Sequence, residues 1–182
     1  MNHCPFNING FEAIRVLSDE GTTGNVYLAT TPDGTTCALK VLIKDSKNSR
    51  YANLHKNMAK EIDALEALNH PHIMRILGGE LDVTWKMGGK RFKGDYIASE
   101  LLSAGELYDF IDNPKGTIAE PTAKQLFKQM LCALVYMHEK GIVNRDIKLE
   151  NMFVGDDFQI RIGDFGFAKQ IEGVDKDGLL VT

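Results

Sequence analysis

Two features in the first third of the chain have the chemistry to hold a chain of phosphates, and a carboxylate after them could orient one of the two. Gly21-Thr22-Thr23-Gly24-Asn25-Val26 carries two glycines, which let backbone N–H groups approach an anion without side-chain obstruction. A plain hairpin turn is the competing reading of these residues. Lys40 follows within Cys37-Ala38-Leu39-Lys40-Val41. On a strand, Ala38 and Lys40 face one way while Cys37, Leu39 and Val41 face the other. Glu61 lies where a helix could bring it back to pair with that lysine. Either charge alone reads as a solvated surface group, and Lys44 shares the strand parity of Lys40. His70-Pro71-His72 offers ligand-type side chains, but with no cysteine or other histidine nearby it reads as a turn after a helix. Lys86, Lys90, Arg91 and Lys93 read as a solvated loop, with a docking surface as the alternative.

The elements that must position these groups follow from patterning. Residues 11–18, 25–31 and 35–42 are rich in β-branched and aromatic residues, and Pro32-Asp33-Gly34 has turn chemistry, so three antiparallel strands are expected. Residues 52–68 place Ile62, Leu65 and Leu68 on one stripe and Lys60, Asp63 and Glu66 off it, which is helical periodicity. Strands are expected at 73–81 and 95–101, separated by a long exposed hairpin connection from Lys86 to Gly94. A short helix near 106–111 precedes a long one at 121–140 through Leu126, Met130, Leu134 and Met137, with Pro121 near its start and Gly141 at its end. Short strands follow at 142–143, 152–154 and 159–162. A β-rich lobe with one helix thus precedes a mainly helical lobe. Their junction is the expected place for a ligand cleft.

The chain has 182 residues with 43% hydrophobic and 25% charged, which excludes general disorder. A formal charge of −4 gives no nonspecific attraction to nucleic acid or anionic lipid. Neither a disulfide framework nor metal-binding pairs can be built from Cys4, Cys37 and Cys132, and reduced, mostly buried thiols are expected, with Cys37 and Cys132 at core positions. With neither a signal segment nor a membrane-spanning stretch, a soluble cytoplasmic protein is expected.

The most specific run is Arg145-Asp146-Ile147-Lys148-Leu149-Glu150-Asn151, followed by Asp164-Phe165-Gly166. In this order the two resemble the catalytic loop and metal-binding triplet of eukaryotic protein kinases. Cys37-Ala38-Leu39-Lys40 matches the Val-Ala-x-Lys pattern, and Glu61 stands before His70-Pro71 as the kinase helix glutamate does. The resemblance runs from about Phe11 to Thr182. It implies an α+β kinase-like fold: a five-stranded antiparallel nucleotide-binding lobe with one helix at 11–102, and an incomplete, mainly helical lobe at 103–182. It also implies an ATP-dependent serine/threonine kinase that uses Mg²⁺ and takes protein hydroxyls as substrate. Lys40 would hold the α- and β-phosphates, oriented by Glu61 and preferred over Lys44. Gly21 and Gly24 would cover the phosphates, while Asn151 and Asp164 would ligate Mg²⁺. Asp146 would orient the substrate hydroxyl and accept its proton, and Lys148, the residue serine/threonine kinases carry there, would sit near the γ-phosphate. Val26, Ala38 and Phe153 would sandwich the adenine; Glu100, Leu101 and Leu102 match the hinge, and Ser99 the gate behind it. Lys40 and Asp164 are expected to converge on one magnesium-bound triphosphate.

Departures from the pattern are equally specific. Asn144 replaces the histidine of His-Arg-Asp, so a looser contact beneath Phe165 is expected. Asp19 replaces the first glycine of the phosphate loop and with Glu20 brings carboxylates towards the phosphates; Thr23 stands where an aromatic often caps that loop. No A-P-E triplet follows Gly166, and a partial domain is expected, with an apolar face of the 121–140 helix left exposed for a partner. A catalytically impaired module that binds nucleotide or a partner is the alternative function.

Overall fold

The structure, a computed structural model, describes residues 5–18, 24–45, 47, 49–111, 118–171, 173–174 and 180–181. Cys4, Asp19, Glu20, Gly21, Thr22, Thr23 and Thr182 lie outside them, and with them the phosphate-loop positions from Asp19 to Thr23. The chain forms two compact units, one of Met1–Ile62 with Arg75–Leu101 and one of Asp63–Met74 with Leu102–Thr182.

The first unit is built on β1 (Phe6–Ile8), β2 (Phe11–Ser18), β3 (Asn25–Thr30), β4 (Thr36–Ile43), the greater part of helix α1 (Tyr51–Ala67), β5 (Ile76–Met87) and β6 (Lys90–Glu100). The strands close into a barrel in the order β1-β2-β3-β4-β6-β5. Alternation drives this. Tyr27, Ala29, Cys37, Leu39 and Val41 turn inward with Phe6, Phe11, Trp85 and Tyr96, and the intervening residues face out. Phe6 meets Tyr27 edge-on at 4.9 Å between ring centroids.

Two sequence expectations fail here. The sheet has six strands where five were expected, because Phe6–Ile8 pairs with β2 and, at Asn7, with Lys86 of β5. Lys86 to Gly94 is not a long connection: β5 and β6 pair to their ends, Met87 opposite Lys90, across Gly88-Gly89. Both glycines have positive φ, 56° and 77°, the backbone a two-residue hairpin turn requires. The exposed Lys86, Lys90, Arg91 and Lys93 are the outward edges of strands whose Trp85 and partly buried Phe92 stack at 6.2 Å.

On α1, Leu54, Met58 and Ile62 pack against Leu42 and Ile97. Leu65 and Leu68 are also buried, whereas Lys60, Asp63 and Glu66 are exposed, in line with the expected stripe.

The second unit contains β7 (Gly105–Glu106), α2 (Leu107–Ile111), α3 (Glu120–Glu139), β8 (Ile142–Val143), a single 3₁₀ turn (Leu149–Asn151), β9 (Met152–Val154), β10 (Ile160–Ile162) and β11 (Lys169–Gln170). Its small sheets run β10-β9-β7 and β11-β8. Pro121 lies in the first turn of α3, and Gly141 just beyond the end donates its N–H to His138. One side of α3 is buried through Ala133 and Met137, while Leu126 and Met130 pack on Leu107, Met152, Val154 and Ile160. The opposite side exposes Phe127 and Val135 at 57% each and Leu131 at 43%. Cys132, expected in the core, is exposed; at 100° per residue it falls outside the stripe through Ala133 and Met137.

Candidate functional site

In the first unit the register puts one set of side chains on the outer barrel face. Val26 pairs with Lys40 and Leu28 with Ala38; Ala38 pairs with Ser99 and Lys40 with Ile97. Opposed residues of an antiparallel pair share a face, so Val26, Ala38, Lys40 and Ser99 stand together. The Lys40 ammonium donates to Glu61 Oε2 at 2.7 Å, with side-chain exposures of 20% and 7%. The parity argument for Lys40 and the reach argument for Glu61 therefore hold. Lys44, the rival, lies with its ammonium 3.5 Å from Asp82. Gly24 has φ +120°, and a Cβ there would meet the Val41 carbonyl oxygen at 2.7 Å, so close backbone approach alone requires glycine. Glu100 is tied twice to Arg75: its carboxylate accepts the Arg75 N–H at 2.8 Å and its own N–H reaches the Arg75 carbonyl at 3.0 Å.

In the second unit a web of hydrogen bonds fixes the loop after β8. Asp146 Oδ2 accepts from Lys148 Nζ at 2.9 Å and from Asn151 Nδ2 at 2.8 Å. The same Asn151 amide reaches the Asp146 carbonyl at 2.9 Å, and the Asn151 carbonyl accepts the Gly163 N–H at 2.8 Å. Asn144, 1% exposed, bridges the two halves of the web. Its Oδ1 accepts the Asp146 N–H and its Nδ2 donates to the Asp164 carbonyl, each at 2.9 Å. Arg145 and Asp164 have φ of 67° and 50°, sparsely populated conformations for non-glycine residues that persist only where the surroundings impose them. Arg145 Nε donates to the Phe167 carbonyl at 2.8 Å, and Asp164 Oδ1 accepts the Gly166 N–H at 3.2 Å.

The Lys148 ammonium, helped by the Asn151 amide, holds the Asp146 carboxyl below the usual carboxylate range, against partial desolvation. The Asp146 carboxylate in turn raises Lys148. Both therefore stay charged at neutral pH. Because Asn151 engages Asp146 through its nitrogen, its Oδ1 remains a neutral oxygen donor. Asp164 adds an anionic one, and oxygen donors are what a hard cation such as Mg²⁺ takes. Among the described residues no group of three His, Cys, Asp or Glu forms a metal cluster, so such an ion would need phosphate or water oxygens as well.

Residues 17–181 match the family model for the protein kinase domain. The chain belongs to the protein kinase family. Its relatives carry the names of serine/threonine and other protein kinases. It is 35% identical over 164 residues to Aurora/IPL1-related protein kinase 2 of Caenorhabditis elegans, covering 90% of this chain and 50% of that protein. Identity to serine/threonine-protein kinase cds1 of Schizosaccharomyces pombe is 33% over 172 residues, 90% of this chain and 34% of the relative. With NUAK family SNF1-like kinase 1 of Mus musculus it is 31% over 182 residues, all of this chain and 25% of the relative. The chain thus spans half or less of the length of these relatives.

Family membership carries an α+β kinase-like fold, and protein kinases as a class use ATP and Mg²⁺. No helix among the described residues is long and apolar enough to cross a membrane. Of the adenine-site and hinge candidates not yet placed, Phe153 lies half-buried in β9 opposite Arg161 and Glu106, and Leu102 is half-buried with its carbonyl accepting the Gly105 N–H at 3.4 Å. The loosening expected from Asn144 is not found: Phe165 is fully buried, and the amide makes two hydrogen bonds within the web. Sequence reasoning treated Asn144 as a loss because it weighed ring volume and not the amide's paired donor and acceptor. It also missed Glu106, whose carboxyl burial pushes up, with Asp109 and Glu150 adding like charge. No spacing in the sequence distinguishes that glutamate.

Proposed function

We propose that this chain is the nucleotide-binding and catalytic part of an ATP-dependent serine/threonine protein kinase. In this reading residues 11–102 form the nucleotide lobe and 103–182 a partial catalytic lobe. The observation that carries it is the Asp146 carboxylate held between Lys148 and Asn151 and joined through Asn144 to Asp164. Phosphoryl transfer asks little covalent work of the protein, so positioning and charge dominate.

Lys40, kept extended by Glu61, would hold the α- and β-phosphates. Val26, Ala38 and Phe153 would enclose the adenine, with Glu100 and Leu102 at the hinge and Gly21 and Gly24 over the phosphates. Asn151 and Asp164 would hold the magnesium ion, which neutralises developing phosphate charge when bound. A carboxyl held below its usual range is a weak base. Asp146 therefore acts first by accepting a hydrogen bond from the serine or threonine hydroxyl and aiming it. The proton passes to Asp146 late, as the oxygen gains its bond to phosphorus. Lys148 would compensate charge on the transferring group.

A MgATP titration followed by thermal unfolding tests this. At 100-fold excess over Kd, binding adds about 2.7 kcal/mol, or roughly 5–11 °C in Tm for a chain of this size. Asp164→Ala should lose most of the shift. Asp146→Ala should keep it but lose phosphate transfer to a Ser/Thr peptide.

A second reading is a catalytically impaired module that binds nucleotide or a partner. The apolar row Phe127, Leu131 and Val135, near a cavity of about 390 Å³ lined by Leu107, Ile111, Leu126 and Met130, supports a partner covering that face. Transfer abolished by Asp146→Ala would reject the impaired reading.

A further inference from the structure

Asp95, in β6, is fully buried and charged in type, yet it belongs to neither group of site residues. It is well bonded. Its Oδ1 accepts the Asp82 N–H at 2.8 Å, from a β5 bulge where Asp82 has φ +56°. Its Oδ2 faces His55 Nδ1 at 2.8 Å and accepts from the Tyr51 hydroxyl at 3.3 Å. A carboxylate only accepts, so the proton at His55 sits on Nδ1. Burial, then the charge of Asp95, pushes the Tyr51 phenol up to about 12, so it remains a donor. Lys44 lies over the Tyr51 ring at 5.9 Å, and Lys44 and Lys93 both pair with the outer Asp82 carboxylate.

The place of this cluster gives it meaning. Leu42 pairs with Asp95 and Lys40 with Ile97, so Lys40, Leu42, Asp95 and Ile97 share the barrel face on which α1 lies. The Lys40–Glu61 pair and the Asp95–His55–Tyr51 cluster flank the apolar contact that Leu42 and Ile97 make with Met58 and Ile62. His55 and Glu61 are six residues apart, about 9 Å of helix rise, and lie on opposite sides of the apolar stripe. An apolar stripe alone lets a helix roll or slide by a fraction of a turn; two polar clamps on opposite flanks oppose both.

We propose that Asp95, through His55 and Tyr51, is a positioning residue that sets the register of α1 and thereby the Lys40–Glu61 ion pair. The positional claim stands on the geometry; its consequence for nucleotide affinity rests on the proposed function.

The test uses the purified 182-residue chain and two readouts. In the first, without nucleotide, mass spectrometry follows acylation of Lys40 by an amine-reactive ester, with exposed Lys60 and Lys124 as internal controls. Asp95→Asn should raise Lys40 acylation several-fold, to the level of Glu61→Gln, and the double variant should go no higher. In the second, MgATP Kd should rise about ten-fold in Asp95→Asn and no further when Glu61→Gln is added. If Asp95→Asn does not fold, His55→Gln and Tyr51→Phe, at the more exposed end of the cluster, decide by the same acylation assay. Lys40 acylation at the parent level in a folded variant with lowered Tm overturns the inference, and so does a double variant that exceeds Glu61→Gln. A parent chain that fails to bind MgATP while acylation follows the expected pattern overturns the proposed function and leaves the inference standing.

Discussion

Replacing Asn144 with alanine is the sharpest test of the web around Asp146. The substitution leaves the Asp146 N–H and the Asp164 carbonyl without their partner at a site 1% exposed. Each buried unpaired group costs about 1–3 kcal/mol, and entry of a water into the vacated volume would recover part of that. The expected loss is about 3 kcal/mol, equivalent to a Tm fall of roughly 6–12 °C. Urea unfolding followed by far-UV circular dichroism measures it. Asn144→Asp adds a sign test. Its carboxylate would still accept from Asp146 but would face the Asp164 carbonyl, which donates nothing. Burial and that carbonyl raise the folded-state value of the new carboxyl above its unfolded one, since the neutral acid can donate. Relative stability should therefore recover as pH falls and be lost as pH rises through the folded-state value. An alanine variant within about 0.5 kcal/mol of the parent would refute the claim that the amide holds the loop.

Gly24→Ala should destabilise the first unit by about 1–3 kcal/mol, since both its φ of +120° and the Val41 carbonyl at 2.7 Å exclude a Cβ; a neutral result in thermal unfolding would show that the β3–β4 contact yields. Arg161 grips Asp157 with two hydrogen bonds and holds its carboxyl down to about 2. A lowered folded-state value gives stability present above about pH 4 and lost as pH falls towards 2. Arg161→Gln should thus cost about 1 kcal/mol at neutral pH, the upper end for a surface pair, because the Asp157 side chain is 43% exposed but the Arg161 side chain only 16%, with the gap to the parent closing over that window in acid titrations of unfolding. Phe127→Gln, Leu131→Gln and Val135→Gln should each stay within about 0.5 kcal/mol of the parent in urea unfolding while reducing self-association in sedimentation; losses above about 2 kcal/mol would mean that the row is buried.

Local pattern made most of the elements legible. Period-two alternation in Cys37-Ala38-Leu39-Lys40-Val41 gave both the strand and the outward lysine, and the stripe through Ile62, Leu65 and Leu68 gave α1 almost to the residue. What escaped depended on partners distant in sequence. Phe6–Ile8 is too short to declare itself a strand, and it becomes one by lying between β2 and β5. The basic residues from Lys86 to Lys93 obscured the alternation of Trp85, Met87 and Phe92, so the hairpin's connection looked far longer than its two glycines. At the site, residue types and spacing pointed to Lys40, Glu61 and the Asp146 loop, and the ion pair between the first two is present. The double bridging by Asn144 and the buried Asp95 cluster were not legible, because a polar residue's worth in a core depends on which groups face it.

Closure of the barrel by Phe6–Ile8 has a bearing on how the protein can be handled. The stretch matched to the kinase family begins at residue 17, beyond both β1 and most of β2. A chain trimmed to that match would strip the outer hydrogen-bonding side of β5 and of β3, two ready templates for strand addition by neighbouring molecules. Keeping the residues ahead of that match, β1 and the start of β2 included, denies aggregation its simplest route.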